Sequence, residues 1–438
     1  MTNAEMVARS RAAVWHPCTQ MKMHERFPLV PIARGEGPWL HDFEGRRYLD
    51  GVSSWWVNLF GHSHPAINAA IRDQLDSLEH VMLAGFTHAP AVDLAERLSR
   101  IAPGRLGHAF FASDGASAAE IALKMAFHYW ANRGGRQKNR FVSLEGGYHG
   151  ETLGALGVTD VEIFRDAYAP LVRASLVAPF PARSHDDHRF GGIKGAIHAA
   201  DALARLLEEH AGEVAAFIVE PLVQGASGMR FHHPEYLRRA RDLCTKHEVL
   251  LIADEIMTGF GRTGTMFACE QAGVAPDLLC LSKGITGGYL PLSCVLASDE
   301  VYRAFYDDDA ARGFLHSHSY SGNALACRAA CAVLDLFERE DVIAANERKA
   351  ARFFEMASPL AHHPHVRDFR HLGMIWAFEV AAGAPDFAAR AFELALSRGV
   401  LLRPIGNTVY FMPPYVAGEA EFAMLVDAGL AIVDALGR

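Results

Sequence analysis

Short apolar runs alternate with longer stretches of helical periodicity between about residues 105 and 300. Apolar runs bounded by turn residues are typical of buried strands, and apolar residues spaced three and four apart predict helices. Strands that alternate with helices form βαβ units, so we expect an α/β protein with a mostly parallel central sheet covered by helices. The predicted strands are HAFFAS, RFVSL, ASLVAP, VAAFIVEP, VLLIADEI, DLLCLSK and SCVLAS.

The pattern changes after about residue 320. NALACRAACAVLDLFERE has the period of one long helix, VRDFRHLGMIWAFEVA follows it, and VLLRPIGNTVYFMPP predicts a strand pair, so a smaller α+β lobe is expected there. A chain of 438 residues also exceeds what one hydrophobic core usually fills. We therefore expect an N-terminal segment that contributes to the small lobe (1–57), a large cofactor-binding domain (58–335) and a C-terminal small domain (336–438).

Composition and charge narrow the class of protein. Half of the residues are apolar and 21% are charged, as in ordinary globular proteins. The net charge of -9 and the scattered Lys and Arg residues argue against nucleic acid as a partner. No apolar run approaches the roughly 18 residues of a membrane span, and no signal peptide is visible, so a cytoplasmic location with no membrane contact is expected.

The seven cysteines are an odd number and lack the spacing of a zinc finger. Cys327 and Cys331 are one helical turn apart, but no further ligand accompanies them at a suitable spacing. We expect reduced thiols packed in the core and no metal site.

Polar residues follow several of the predicted strands. Glu220 follows AAFIV, Asp254 follows VLLIA, and Lys283 follows LLCLS. In open α/β sheets, ligands bind beyond the carboxyl ends of the strands, so these side chains are expected to converge. The 29 residues from Asp254 to Lys283 correspond to one strand, crossover and strand, which predicts neighbouring strands for the acid and the amine.

The acid and the amine together indicate pyridoxal phosphate (PLP). A lysine before GITGG is expected to be partly desolvated, which favours the neutral amine needed for a Schiff base. A carboxylate such as Asp254 would keep the pyridine nitrogen protonated. The phosphate would lie at the start of the helix after FFASD, where Gly115, Ala116 and Ser117 are the candidates. Each residue alone also fits a helix cap or a solvated charge, so only the combination discriminates.

A second motif favours a different enzyme class. Gly259 to Gly264 reads G-x-G-x-x-G, and Asp277 lies near the distance expected of a ribose-binding acid, as in NAD-dependent dehydrogenases. However, the glycines follow the charged segment DEIMT, and TMFACEQAG is a poor continuation as a long helix. Asp277 also precedes its strand. The dehydrogenase interpretation is therefore disfavoured.

Four segments, EGGYHGETLGALGVT, VEPLVQGASGM, LLIADEIMTGFGRTG and LSKGITGGYLPLS, resemble the class III, or omega, aminotransferases. The resemblance covers about residues 14–415 and implies a fold-type-I PLP-dependent transferase. WHPCTQM, DGVSSWWVNLFGHSHP and LLRPIGNTVYFMPPY resemble those members of the class that act in biotin synthesis. That implies transfer of an amino group from S-adenosylmethionine to 8-amino-7-oxononanoate. An ornithine, 4-aminobutyrate or diamine aminotransferase, lysine as donor, and a nonenzymatic PLP-binding protein stay open as alternatives.

The resemblance also implies roles for individual residues. Lys283 would form the Schiff base, Asp254 would pair with the pyridine nitrogen, and Tyr148 would stack on the ring. Ser319 would reach the phosphate of a neighbouring subunit, which implies a homodimer with shared active sites. The remaining cofactor-binding residues would be Gly115, Ala116 and Glu220, and the substrate-binding set would be Trp55, Trp56, Tyr148, Lys283, Ser317, Arg403, Tyr410, Arg262 and Cys18.

Three positions depart from the class. Cys18 stands where a tyrosine is usual, Ala116 replaces a serine, and Ser319 replaces a threonine. A backbone amide survives the second change and a hydroxyl survives the third, whereas cysteine loses an aromatic wall. For the substrate residues a structural alternative also exists: a strand would place Trp55 and Trp56 on opposite faces, and Arg403 would be a surface charge.

Overall fold

The computed structural model describes residues 1–27, 29–181, 190, 192–381 and 386–438. Two compact units are present. A small unit comprises Met1–Pro65 with Arg348–Arg438, and a large unit comprises Ala66–Glu347. These limits differ from the expected boundaries after residues 57 and 335. The limit after Glu347 falls inside the helix Val342–Met356, and helical periodicity gives no sign of a domain boundary there.

Sixteen strands are present in the described residues. They are β1 Ile32–Glu36, β2 Trp39–Asp42, β3 Arg47–Asp50, β4 His108–Ala112, β5 Arg140–Leu144, β6 Leu176–Ala178, β7 Val214–Val219, β8 Val223–Gln224, β9 Arg230–Phe231, β10 Leu250–Asp254, β11 Leu278–Leu281, β12 Ser293–Ala297, β13 Val366–Leu372, β14 Ile375–Val380, β15 Val400–Leu401 and β16 Thr408–Phe411.

The same residues form sixteen helical segments besides four 3-10 turns. They are α1 Asn3–Ala13, α2 Ser53–Trp56, α3 Pro65–Leu75, α4 Ala89–Ile101, α5 Gly115–Asn132, α6 Leu153–Val158, α7 Glu162–Arg165, α8 Ile193–Glu209, α9 Pro234–Lys246, α10 Cys269–Ala272, α11 Asp299–Arg303, α12 Ala324–Glu340, α13 Val342–Met356, α14 Ser358–Ala361, α15 Phe387–Ser397 and α16 Glu419–Leu436. The 3-10 turns are Met21–Glu25, Asp166–Leu171, Lys283–Thr286 and Ala310–Arg312.

The large unit is built on a seven-stranded sheet of order β4-β12-β11-β10-β7-β5-β6. β12 is antiparallel to both of its neighbours, and the pairs from β11 to β6 are parallel. The predicted mostly parallel sheet is thereby confirmed. β7 and β10 are buried along their whole length, which explains why their sequences are continuous apolar runs.

Helix α5 shows how the sequence fixes this packing. Asp114 caps its start by accepting the amide of Ser117 at 2.9 Å. Apolar residues at helical spacing, among them Ile121 and Met125, then join the core cluster formed with β7, β10 and β11. Burial of each such side chain contributes about 1.5–3 kcal/mol. The helix start is therefore held at the carboxyl edge of the sheet.

The small unit contains two sheets, of order β1-β2-β3-β15 and β13-β14-β16. The expectation of a strand pair in the tail was wrong in its pairing: β15 pairs with β3 and β16 pairs with β14. Between β15 and β16, Ile405 and Thr408 form an isolated antiparallel bridge. β15 has two residues and β16 has four, and each pairs with a strand from a different part of the chain.

No helix in the described part of the chain is long and apolar enough to span a bilayer.

Candidate active site

Asp254 lies at the carboxyl end of β10 and is 4% exposed. Its Oδ2 atom accepts a hydrogen bond from Nδ1 of His149 at 2.7 Å, and its Oδ1 atom accepts the amide of Ile256 at 3.1 Å. His149, which is 2% exposed, lies in the glycine-rich turn after β5. The carboxylate is thus desolvated and fixed in direction, as an acid must be to pair with one ring nitrogen. His149 was not predicted from the sequence.

Lys283 follows β11, the strand next to β10. The two strands pair in parallel, with Asp254 opposite Cys280, which confirms the expected neighbouring strands. Lys283 has a φ of +48°, in the left-handed region that L residues rarely occupy. Desolvation lowers the pKa of its amine to about 8, although the charges of Asp254 and Glu220 act in the opposite direction. A substantial neutral fraction is therefore present at physiological pH, as nucleophilic attack on an aldehyde requires.

Glu220 lies just beyond β7. Its Oε2 atom accepts the amide of Tyr148 at 3.0 Å, and its Oε1 atom accepts the amide of Gly225 at 3.0 Å. Burial raises the pKa of Glu220 to about 7, against the lowering effect of His149. The carboxyl group therefore anchors the turn that carries Tyr148 and His149.

The start of α5 forms the candidate phosphate cradle. Asp114 engages the amides of Ser117 and Ala118, whereas helix geometry leaves the amides of Gly115 and Ala116 pointing out of the first turn. A Cβ on Gly115 would lie 2.9 Å from Cγ2 of Ile256, so a side chain there would be compressed. Ser117 also donates its hydroxyl to Asp114, so it serves the cap.

Gly150 brings the turn after β5 against this cradle. Its φ is +122°, and a Cβ on it would lie 2.4 Å from Cβ of Ala116. Only glycine satisfies both the conformation and the contact. Both the backbone conformation and the close packing therefore require glycine at the end of EGGYHG.

Tyr148 is half-buried in the same turn. Its hydroxyl donates to Oε1 of Glu151 at 2.9 Å, and its ring centroid lies 5.3 Å from that of Phe164. The ring orientation is thus restrained at both ends. Stacking of Tyr148 on a cofactor ring stays a prediction.

These features fit PLP. An anion fits the amides at the start of α5, a protonated ring nitrogen fits the buried carboxylate of Asp254, and an aldehyde fits the amine of Lys283. Their electrostatic coupling and the contact of Gly115 with Ile256 bring them to one edge of the large-unit sheet. The expected convergence is therefore found.

The segment HSHSYSGN adjoins the same edge. The Ser113 hydroxyl and Nδ1 of His318 form a hydrogen bond of 3.1 Å, and the His80 ring contacts the carbonyl of Ser319 at 2.8 Å. Ser317 and Ser319 are exposed. Their predicted roles toward substrate and a neighbouring phosphate stay predictions.

In the small unit, α2 is a left-handed turn. All four residues of Ser53–Trp56 have positive φ, and the φ and ψ of Ser54 (48°, 51°) and Trp55 (72°, 46°) are those of a left-handed helix. Left-handed helical residues cost roughly 1–2 kcal/mol each, so neighbouring contacts must offset this strain. The strand considered for the two tryptophans was wrong, because both lie in this left-handed turn, where Trp56 is buried and Trp55 is exposed.

Trp56 is 5% exposed and donates its Nε1 proton to the Tyr410 hydroxyl at 3.1 Å. Trp55 is 40% exposed, and the guanidinium carbon of Arg403 lies 4.4 Å from its ring centroid. The contact is within cation–π range. The turn thus gives one indole to the core and leaves the other beside an exposed cation.

Two further predicted residues are placed differently. Cys18 is exposed in the small unit, with a φ of +51°. Arg262 is 1% exposed in the large unit, in the loop between β10 and α10. Their contact with substrate stays a prediction.

The glycines from Gly259 to Gly264 lie in this loop, which consists of turns and ends in the four-residue helix α10. Glu255 organises the loop by accepting the amides of Ala268 and Cys269 and the hydroxyl of Thr258. A dinucleotide site needs a strand that leads through the glycines into a long helix. The dehydrogenase alternative therefore lacks its structural context.

Comparison with known proteins extends these observations. The class-III aminotransferase family profile matches residues 20–433. Adenosylmethionine-8-amino-7-oxononanoate aminotransferase from Helicobacter pylori is 45% identical over 432 residues, covering 97% of each chain. The crystal structure of the protein of that name from Methanocaldococcus jannaschii superposes with a TM-score of 0.93 at 36% identity, covering 99% of this chain and 100% of that one. A PLP-bound amine transaminase from an uncultivated Pseudomonas species gives a TM-score of 0.89 at 34% identity, covering 97% and 99%.

The fold and the site define a fold-type-I, PLP-dependent transferase. The chain belongs to the class-III aminotransferases. It is a PLP-dependent aminotransferase that acts on small molecules.

Proposed function

We propose that this enzyme transfers the amino group of S-adenosylmethionine to the ketone of 8-amino-7-oxononanoate, which gives 7,8-diaminononanoate for biotin synthesis. Relatives that match nearly the whole chain carry the corresponding name. The observation on this chain that carries the proposal is the Arg403 guanidinium 4.4 Å above the Trp55 ring. An aliphatic acid needs an apolar wall and a cation for its far carboxylate, and this pair supplies both.

The small-unit residues would bind the substrate as follows. The exposed indole of Trp55 covers part of the aliphatic chain, and Arg403 binds the carboxylate. Trp56 donates a hydrogen bond to the Tyr410 hydroxyl and so anchors the last residue of the turn. Replacement of Arg403 by lysine would keep the charge but lose the planar contact with the indole.

When bound, PLP supplies an electron sink that makes the α-hydrogen of an amine acidic. Asp254 keeps a proton on the ring nitrogen, because its buried carboxylate favours the charged form of that nitrogen. Lys283 Nζ would hold the cofactor through its aldehyde carbon. Once the amino group of the donor had displaced it, the freed amine would accept the proton from the donor α-carbon and return it to the joined donor and cofactor. The lowered pKa of this amine suits proton transfer near neutral pH.

Isotope labelling tests the reaction and its donor. Purified enzyme is given 8-amino-7-oxononanoate with either ¹⁵N-labelled S-adenosylmethionine or ¹⁵N-labelled lysine, and 7,8-diaminononanoate is analysed by mass spectrometry. We expect one ¹⁵N in the product from S-adenosylmethionine only. Label from lysine would reassign the donor. Turnover of ornithine, 4-aminobutyrate or a diamine without formation of 7,8-diaminononanoate would contradict the proposal.

We also propose a homodimer with shared active sites. The segments 79–88 and 318–323 are tied together by hydrogen bonds from Asn323 to the Glu79 carbonyl and from His88 to the Gly322 carbonyl. Large apolar side chains on and beside these segments are exposed, which is typical of a protein interface. They are Met82, Phe86, Leu315 and Tyr320. A second copy of the chain, bringing its own Ser319 toward the phosphate, is the proposed occupant.

Subunit mixing tests the shared sites. Lys283→Ala and Ser319→Asp are each expected to be inactive, the second because its charge repels the phosphate. If Ser319 acts on the neighbouring site, a mixed dimer contains one fully native site, and an equal mixture recovers about a quarter of the wild-type activity after subunit exchange. No recovery from verified mixed dimers would show that each site is complete within one chain.

We further propose that the enzyme acts in the cytoplasm. Six of its seven cysteines are buried free thiols, and a reducing compartment suits such usage. Detection of the native protein in cell fractions tests this location.

A further inference from the structure

The left-handed turn Ser53–Trp56 lies three residues beyond the end of β3, and its strain must be offset by fixed partners. Asp50, the last residue of β3, faces the turn and is 1% exposed. Its Oδ1 atom accepts the amide of Ser54 at 2.9 Å, and its Oδ2 atom accepts the Ser54 hydroxyl at 2.7 Å. One carboxylate therefore binds a left-handed residue through both its backbone and its side chain.

The same carboxylate is itself held by a short chain of hydrogen bonds. His62 contacts Oδ2 of Asp50 through Nε2 at 3.0 Å, and its Nδ1 lies 3.1 Å from Nδ2 of Asn58. The backbone N–H of Asn58 donates to the Ser53 carbonyl at 3.0 Å. The chain of bonds thus closes on the turn from which it started.

The far side of the turn has a separate anchor. The Ser53 hydroxyl donates to the Met412 carbonyl at 2.7 Å, and Trp56 donates to Tyr410. These contacts hold the first and last residues of the turn, whereas Asp50 holds Ser54, directly before Trp55. Trp55 therefore lies between two anchored residues, and Asp50 fixes the one that precedes it through both backbone and side chain.

We propose that Asp50 is a positioning residue, which stabilises the left-handed turn and thereby sets the place of Trp55 beside Arg403 for the substrate. This inference rests on the proposed function for the identity of the substrate. A carboxylate suits the position because all three facing groups donate, and an amide would offer one oxygen and present N–H groups to other donors.

The first test compares Asp50→Asn with Asp42→Asn in the PLP-loaded enzyme. Asp42 is a matched control, since it is a buried acid of the same sheet with several donors, among them Asn3 and Tyr48, but it makes no bond to the turn. We expect Asp50→Asn to bind PLP normally, to change the near-ultraviolet circular dichroism of its tryptophans, and to raise KM for 8-amino-7-oxononanoate about tenfold while kcat falls less. Asp42→Asn is expected to lower thermal stability without changing KM.

The second test uses strain relief. Glycine adopts a φ near +48° without penalty. The double variant Asp50→Asn with Ser54→Gly is therefore expected to have a lower KM than Asp50→Asn alone. If Asp50→Asn does not fold, Ser54→Ala, which removes only the hydroxyl bond, carries the test and is expected to raise KM severalfold. KM within twofold of wild type in the folded Asp50 or Ser54 variant, or an equal rise in Asp42→Asn, would overturn the inference. Absence of wild-type turnover with 8-amino-7-oxononanoate would instead refute the proposed function, while the dichroism comparison would still report on Asp50.

Discussion

His149 donates a 2.7 Å hydrogen bond to the carboxylate of Asp254, and both side chains are buried at the carboxyl edge of the large-unit sheet. The bond joins the turn after β5 to the end of β10, across 105 residues of sequence. It restrains the orientation of the carboxylate that we propose to pair with the pyridine nitrogen. We therefore expect His149 to be a positioning residue that acts through Asp254.

Replacement of His149 tests this coupling. His149→Phe removes the donor and is expected to lower kcat about tenfold to hundredfold, the value of one hydrogen bond to a charged group, while PLP stays bound. His149→Asn retains an N–H donor and is expected to lose less. Asp254→Ala sets the upper limit, because it removes the acid itself. Steady-state kinetics of the three variants decide the matter: equal activity in His149→Phe and wild type would contradict the role.

The pKa of Lys283 gives a pH-dependent prediction. Only the neutral amine attacks the aldehyde, and its fraction rises as pH passes the pKa, which burial lowers from 10.5 to about 8. The rate of PLP uptake by the cofactor-free protein is therefore expected to rise with pH and to reach half its maximum near pH 8. Stopped-flow absorbance measures this rate, with Lys283→Arg as the control that forms no covalent link. A midpoint above pH 10 would show that the amine is not desolvated.

Arg403 is expected to set the affinity for the carboxylate of the substrate. Arg403→Ala should raise KM for 8-amino-7-oxononanoate about tenfold to hundredfold, since a charge-assisted contact is lost, with a smaller change in kcat. Arg398 is an exposed arginine of the same unit, so Arg398→Ala is the matched control and should leave KM unchanged. The methyl ester of the substrate lacks the negative charge and should show the same KM with wild type and Arg403→Ala. A large KM difference for the ester would point to packing instead of charge.

Cys18 is exposed, and the resemblance to the class implies that it stands where a tyrosine is usual. A thiol is a weak hydrogen-bond donor, so Cys18→Ala is expected to raise KM severalfold and to change kcat less. Cys18→Tyr is expected to be active. Steady-state kinetics with both substrates provide the measurement. Loss of all turnover in Cys18→Ala with PLP still bound would make the cysteine part of the chemistry.

The sequence predicts the large-unit sheet well because its strands are buried on both faces and therefore appear as continuous apolar runs. The expectation that Asp254 and Lys283 follow neighbouring strands came from the apolar runs before them and the 29-residue interval between them, and the parallel pairing of β10 and β11 confirms it. His149 was missed because its partner is distant in sequence, and a histidine in a glycine-rich turn carries no signal for such a bond. Its place between Tyr148 and Gly150 was the only available hint.

The small unit was less predictable. The left-handed turn of Ser53–Trp56 contains no glycine, so its conformation depends on Asp50 and on contacts with residues about 360 positions later. The tail strands likewise pair with β3 and β14 instead of with each other. Local periodicity specifies strands but not their partners, and these partners are set by the packing of distant segments.

A single-turnover experiment tests the central claim most directly. The visible absorbance of bound PLP, which we propose to be held by Lys283, is followed in enzyme that contains no free cofactor. Addition of S-adenosylmethionine alone should abolish this absorbance, and subsequent addition of 8-amino-7-oxononanoate should restore it, with one 7,8-diaminononanoate formed per site; Lys283→Ala should show neither change. If S-adenosylmethionine leaves the wild-type spectrum unchanged while ornithine or 4-aminobutyrate abolishes it, or if Lys283→Ala turns over normally, the account is contradicted.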